Sequence, residues 1–282
     1  MKSIAYISIL TFLIACQPKK ETTQKESTTD SIPTATTAIQ NEENEAITFG
    51  FSNQPGTQIL AFEENVNPKI CTQIVDSKGE ITPISFLKTQ KGNEKGINLV
   101  PQNIDNCMGH LCEVKGGSKA NSENTVVIFN YAFAKKHKPV LLKNFEVPQS
   151  IDDKTKKIIA NDRKRAVKNA WKIANLDKQS AYIVIFEQKQ DSVLASLVIV
   201  GEELIYRDYP AKYDEGSTWR VDDGGEFPKD AIKILAVFRN QADELEIITE
   251  WAGAEGANIE YAKANKNKFE TIKEASRYWG AL

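Results

Sequence analysis

Short runs of β-branched and aromatic residues, each stopped by turn chemistry within a few positions, dominate this chain from Ile47 onward. That rhythm leaves little room for anything but a β-rich fold. The stretches 47–51, 58–62, 70–75 and 81–87 are of this kind, and Asn53-Gln54-Pro55-Gly56 and Asp76-Ser77-Lys78-Gly79 punctuate them. Regular spacing without a helical period predicts antiparallel strands. Residues 92–117 are looser, with Pro101 and Gly116-Gly117, and read as surface loops ahead of a strand at 126–133. Strands return after Lys178 at 181–187, 193–200, 203–209, 218–221, 232–239 and 245–251. Links such as Gln188-Lys189-Gln190-Asp191 and Asn240-Gln241-Ala242-Asp243 suit hairpins. The first two of these strands are apolar almost throughout, which predicts that both faces are covered.

One segment breaks the pattern. Across 151–176, Ile158, Ile159, Ala166, Val167, Ala170, Trp171 and Ala174 recur at helical spacing behind Asp152 and Asp153, which suit a helix start. The opposite side gathers Lys154, Lys157, Lys164, Arg165, Lys168 and Lys172 into a basic face within roughly a third of the circumference. Such a face is either a solvated helix surface or a contact for anionic headgroups, glycan phosphates or an acidic partner. A short amphipathic helix carrying Phe269, Ile272, Ala275 and Trp279 is expected to close the chain. The fold class read from these patterns is α+β and β-rich: antiparallel sheets, one long amphipathic helix and a short C-terminal helix in a body at 47–282, subdivided near 150.

The N-terminus carries a different signal. Lys2 precedes an apolar run from Ile4 that ends in Leu13-Ile14-Ala15-Cys16, too short to span a bilayer permanently. These four residues resemble the lipobox of bacterial lipoproteins. The resemblance implies that residues 1–15 are a signal peptide and that Cys16 is diacylated and becomes the first residue of the mature chain. Residues 17–46 are rich in Thr, Ser, Glu, Lys and Gln, lack aromatic side chains and cannot offset the entropy of ordering. As a slack tether they would hold the body roughly 30 Å from the anchor. The expected address is the bacterial cell envelope, on an outer-membrane anchor facing the periplasm, because Gln17-Pro18-Lys19-Lys20 lacks the acidic run that accompanies surface export.

That compartment bears on the thiols. With Cys16 acylated, Cys71, Cys107 and Cys112 remain, an odd number that allows at most one internal bridge. Cys107 with Cys112 would close a short loop through Gly109, and Cys71 with either would close a longer one. Three free thiols, or a zinc set of the three cysteines with His110, are the other arrangements these residues allow. A disulfide is the expectation, with no metal and no cofactor.

A formal net charge of −2 supplies no field for nucleic acid, and His110 and His137 are the only histidines, so the commonest general base is scarce. No Gly-x-Ser-x-Gly elbow, His-Glu-x-x-His, phosphate loop or dinucleotide fingerprint occurs. Asp214 to Glu226 offers carboxylates around glycine turns, though without the alternating order of a calcium loop. Glu250 and Glu255 could divide acid and base roles as in glycoside hydrolysis, and Trp219, Trp251 and Trp279 could form a sugar platform or simply fill the core. The stretch 246–261, an apolar strand, a small-residue turn with acidic residues and a second strand, resembles the blade edge of FG-GAP or VCBS-type β-propeller repeats of bacterial surface lipoproteins. That resemblance implies a degenerate propeller-like arrangement and carries no ligand residues over.

The reading is a lipid-anchored envelope protein with a non-catalytic binding or structural role toward an envelope protein or glycan, with no catalytic residue assigned. The alternatives are a carbohydrate-acting hydrolase using paired carboxylates and an inhibitor of a periplasmic enzyme. Metabolic labelling with a fatty-acid probe is expected to mark the wild type and not Cys16→Ala; equal labelling of both would remove the anchor.

Overall fold

A computed structural model describes residues 44–63, 66–70, 72–76, 78–221 and 223–280. Cys16, most of the tether and Cys71 lie outside the described residues. Six strands form a closed barrel: β1 (Ile47–Ser52), β2 (Gln58–Ala61), β3 (Gln73–Val75), β4 (Ile81–Lys91), β5 (Met108–Val114) and β6 (Val126–Phe129). Their order is β1-β2-β5-β4-β3-β6, antiparallel throughout, and β6 pairs back onto β1. Ile59, Ala61, Ile74, Ile84, Cys112, Val114, Val126 and Ile128 fill the interior. Gly50 faces this space, where a Cβ would lie 2.7 Å from the Leu60 carbonyl oxygen and 2.8 Å from Ile128 Cδ1. Only glycine lets β1 approach that closely.

Helix α1 (Tyr131–Lys136) follows β6 directly, because the Asn130 side chain accepts the Phe133 amide and caps it. The expected strand at 126–133 therefore ends at Phe129. The second sheet takes the rest of the chain: β7 (Lys138–Pro139), β8 (Leu142–Ser150), β9 (Val167–Leu176), β10 (Gln179–Phe186), β11 (Ser192–Val200), β12 (Leu204–Lys212), β13 (Ile232–Arg239), β14 (Leu245–Ala252), β15 (Gly256–Asn265) and β16 (Lys268–Tyr278). Its order is β7-β13-β14-β15-β16-β12-β11-β10-β9-β8, with a single parallel contact where β12 meets β16. Inward side chains from β8 through β16 share one core, so the sheet is curled around it. The outer faces are covered too. Helix α2 (Asp153–Arg163) lays Ile159 on Val167, Tyr182, Val184, Phe186 and Val198, which accounts for the nearly continuous apolar runs of β10 and β11.

Several sequence expectations are corrected. The long helix stops at Arg163: Asp152 caps its start, Lys164 takes the left-handed conformation (φ 49°) at its end, and the chain re-enters the sheet as β9. Pairing of β9 with β10 skips Lys168 and Ile173. Those two bulges turn a period of two into a local spacing of three, which imitates a helix. The basic face is consequently dispersed. Lys154 and Lys157 are exposed on α2, Lys164 is its cap, Lys168 and Lys172 sit on β9, and Arg165 donates to the carbonyls of Glu187 and Ser192 at 2.8 Å each.

The expected C-terminal helix is instead the hairpin β15–β16, turning at Lys266 (φ 57°). Residues 218–221 form a turn rather than a strand, and β5 runs through the region read as loops. No ring of four-stranded blades is present among the described residues; barrel and curled sheet replace the propeller-like arrangement. Cys107 and Cys112 are free and buried, not bridged. Cys112 on β5 lies in the barrel interior, whereas Cys107, just before β5, belongs to a different cluster under the 92–106 loop, where its Sγ is 3.3 and 3.2 Å from the carbonyl oxygens of Asn98 and Asn103. Burial pushes the Cys112 thiol up to about 11. In a variant with Cys16 and Cys71 both replaced by serine, thiol titration after unfolding without reductant is expected to find two thiols, both slow to react in the native state. Finding none would restore the bridge.

Candidate functional site

The barrel and the curled sheet meet through side chains on their outer faces. Phe49, Val75, Val127 and Phe129 from the barrel and Phe133 from α1 pack on Leu235, Phe238, Ile248, Ile259 and Tyr261 of the sheet. Beside this contact the two bodies diverge and leave a groove of about 790 Å³. Its barrel side is the end of β3, the adjoining Asp76 and Glu80, and the connection that carries Lys119, Asn121, Glu123 and Asn124. Its sheet side is β8 at Asn144, Phe145, Glu146 and Pro148, then Lys229, Asp230 and β13 from Ile232 to Leu235. The size suits a bound molecule, and the lining mixes carboxamides, both signs of charge and an apolar floor.

The groove exists because β8 does not run straight. It pairs with β9 at Leu142–Asn144 and again at Gln149 and Ser150, and Phe145 to Pro148 are looped out against Ile173 alone. Pro148 has no amide to donate, which suits this bulge. Val147 is left 71% exposed. The Asn144 Nδ2 donates to the Ile234 carbonyl at 3.0 Å, and across the groove Lys233 Nζ donates to Asn124 Oδ1 at 2.9 Å.

None of the six residues of the expected basic face lines the groove, although Lys172 Nζ lies 5.8 Å from the ring centre of Phe145, which does. In the acidic turn, Asp214 and Asp223 are occupied by backbone amides of the turn itself. Asp214 accepts the amides of Ser217 and Gly216, which hold its carboxyl below the usual range. Burial pushes Asp223 up, but the amides of Thr218, Trp219, Arg220 and Gly225 outweigh it and hold it low. Asp222 lies outside the described residues. Among the described residues no three His, Cys, Asp or Glu side chains gather as a metal-binding group. Glu250 is buried and accepts both the amide and the hydroxyl of Thr125, whereas Glu255 sits exposed on the hairpin turn, so the two carboxylates do not flank a common cleft. Trp219 and Trp251 pack with Tyr209 and Phe227 against the sheet's core, and Trp279 donates to the Ala254 carbonyl. The three tryptophans do not form one platform.

A second polar cluster lies beyond the aromatic contact. His137 stacks on Phe133 with ring centres 3.9 Å apart, and its Nδ1 lies 2.6 Å from Glu246 and its Nε2 3.0 Å from Glu45. Burial pulls the His137 pKa down, but the hydrogen bonds to Glu246 and Glu45 outweigh it and leave the imidazole above its ordinary range. Glu45 is held low by Lys136 and then by His137. The cluster ties the start of the folded body to β14. Sequence reasoning found neither this cluster nor the groove; the one local signal was Pro148 inside a strand-like run, which marks a bulge or an edge.

No family model matches the chain, and comparison with curated proteins and with solved structures finds no match.

The His137 contribution to stability is fully present below about pH 6.5, its unfolded value, and is lost as pH rises through the higher folded value. The Glu45 contribution runs the other way, present above about pH 4.5 and lost as pH falls. Urea unfolding across this range is expected to show stability declining above pH 6.5 in the wild type, and the decline should be smaller in His137→Gln. An identical decline in the variant would refute the assignment.

Proposed function

We propose that this chain is a lipid-anchored cell-envelope protein that binds another envelope component, without chemistry, in the groove between its barrel and its curled sheet. The observation that carries the reading is the groove itself. Two separately cored bodies are held in fixed register by buried contacts, and between them β8 leaves the sheet after Asn144 to present Phe145 and Glu146. A cleft between packed bodies with a few aimed polar groups is a common form of binding site. The N-terminal resemblance supports the address. An acylated Cys16 followed by a polar tether would place this groove within reach of components on the periplasmic side of the outer membrane, and a single anchored binder needs no catalytic group of its own.

The inhibitor alternative is a special case of this reading in which the bound component is an enzyme. The hydrolase alternative draws no support from Glu250 and Glu255, since Glu250 is buried and engaged by Thr125 whereas Glu255 is exposed. A photo-crosslinking phenylalanine derivative placed at Phe145 in the full-length protein in cells is expected to give adducts that the same derivative does not give at Val221, which is 85% exposed and outside the groove. No adduct at Phe145, or the same adducts from both positions, would overturn the reading.

A further inference from the structure

We infer that the end of the body carrying α1 rests on a membrane surface of anionic phospholipid, with Tyr131, Lys135, Lys138 and Leu141 as its contacts. The inference rests on the acylated Cys16 of the reading above and is independent of what the groove holds.

The first observation is where the chain enters the body. Asn130, the cap of α1, donates its amide to the Ala46 carbonyl, accepts the Ala46 amide on its side chain and donates from Nδ2 to the Asn44 carbonyl. Glu45 is held in turn by Lys136 and by His137 Nε2. These bonds fasten the first described residues to α1, so the covalent path back to Cys16 leaves the body from this end. No other face of the body is closer to the anchor along the chain.

The second observation is what surrounds that entry. Tyr131 and Lys135 are one helical turn apart and share a face of α1. Tyr131 is 52% exposed and Leu141 64%. Lys135, Lys138 and Leu141 border one open hollow of about 650 Å³. An aromatic ring with a polar tip, an aliphatic group in water and long-stemmed cations suit a boundary where one layer is apolar and the next carries phosphate. Charge alone would fit an acidic protein as well; the position at the chain's entry favours the membrane.

The third observation is the charge left over. The hollow is bordered by Lys135, Lys136, Lys138 and Arg239 against Asp177 and Asp243. Lys136 is committed to Glu45, and Arg239 to Asp243. Lys135 and Lys138 are exposed and make no ion pair among the described residues. Two lysines then stand against Asp177, a positive balance that headgroup phosphates would meet. The arrangement also leaves the groove open. β13 runs from Ile232 in the groove to Arg239 at the hollow, about 23 Å at roughly 3.3 Å per residue, so the groove lies toward the end away from the lipid.

The test reconstitutes the full-length mature protein in phosphatidylcholine vesicles with and without phosphatidylglycerol, with a fluorescent noncanonical amino acid at Leu141 or, for comparison, at Val221. Val221 belongs to the far end, because its neighbour Arg220 lies 4.9 Å from the Trp251 ring centre and Trp251 pairs with Ile232. Spin-labelled headgroups are expected to quench the Leu141 probe at least threefold more than the Val221 probe in the anionic vesicles, and equally in the neutral ones. Lys135→Glu combined with Lys138→Glu should abolish the difference while leaving the urea midpoint unchanged, since both side chains are exposed. Equal quenching at the two positions in anionic vesicles, or a difference that persists in the lysine variant, would overturn the lipid contact and leave the anchor standing. Protein that sediments with neither vesicle would overturn the anchor and the contact together.

Discussion

The contact on which the rest of the structure depends is the aromatic seam between barrel and curled sheet. Phe129, Phe133 and Phe238 meet in tilted and edge-to-face pairs with ring centres 5.3 to 5.8 Å apart, and Tyr261 adds a fourth ring 6.1 Å from Phe133. Each such side chain removes about 150–250 Å² from water, roughly 4–6 kcal/mol gross at about 25 cal/mol per Å². Edge-to-face geometry also makes the seam directional, so the two bodies are held at one angle. Phe129 ends β6 and Phe133 follows one helical turn later, which places the strongest part of the contact where the chain passes from one sheet to the other.

Polar groups buried around the seam refine that angle. Glu250 accepts from Thr125, Arg277 donates to the Leu99 carbonyl while lying 5.0 Å from the Phe51 ring centre, and His137 joins Glu246 to Glu45. Each of these links pairs a residue of the sheet or α1 with one of the barrel or its approach. Burial lowers the Arg277 pKa, with Glu250 pulling it back up. Buried charges like these add little net stability against apolar replacements, but an unmatched one is costly, so any other docking of the two bodies is penalised. The groove follows from this fixed docking: its two walls belong to different bodies, and neither would enclose a ligand alone.

Strand content was legible because the residues that carry it are local. The turns after Ser52 and Val75, the hairpin links at Gln190 and Asp243, and the doubly covered runs of β10 and β11 all obey short-range rules. The segment that misled was β9. Val167 and Ala170 are three apart on one face, as are Trp171 and Ala174 on the other, and a chain read by periodicity alone assigns them to a helix. What decides otherwise is the pairing with β10, where the bulges at Lys168 and Ile173 absorb the extra residues. The same error created the basic face, whose members the structure scatters over a helix, its cap and a strand. The hairpin at Lys266 was missed for a related reason: Phe269 and Ala275 bury as strand residues, a pattern that sparse spacing does not separate from one helical face.

By itself the sequence determined that the body is β-rich and built from antiparallel strands. That reading depends on the side chains of residues near one another in the chain. Only the tertiary structure decided that the strands divide into a closed barrel and a curled sheet, that β8 loops out at Phe145 to Pro148, and that Asn144, Lys233 and Asn124 come to face one cleft. Those outcomes depend on which strands pair and on how two cores dock. The pairing energies involved come from contacts between residues up to more than a hundred positions apart, such as Thr125 with Glu250 and His137 with Glu246, which no local pattern encodes.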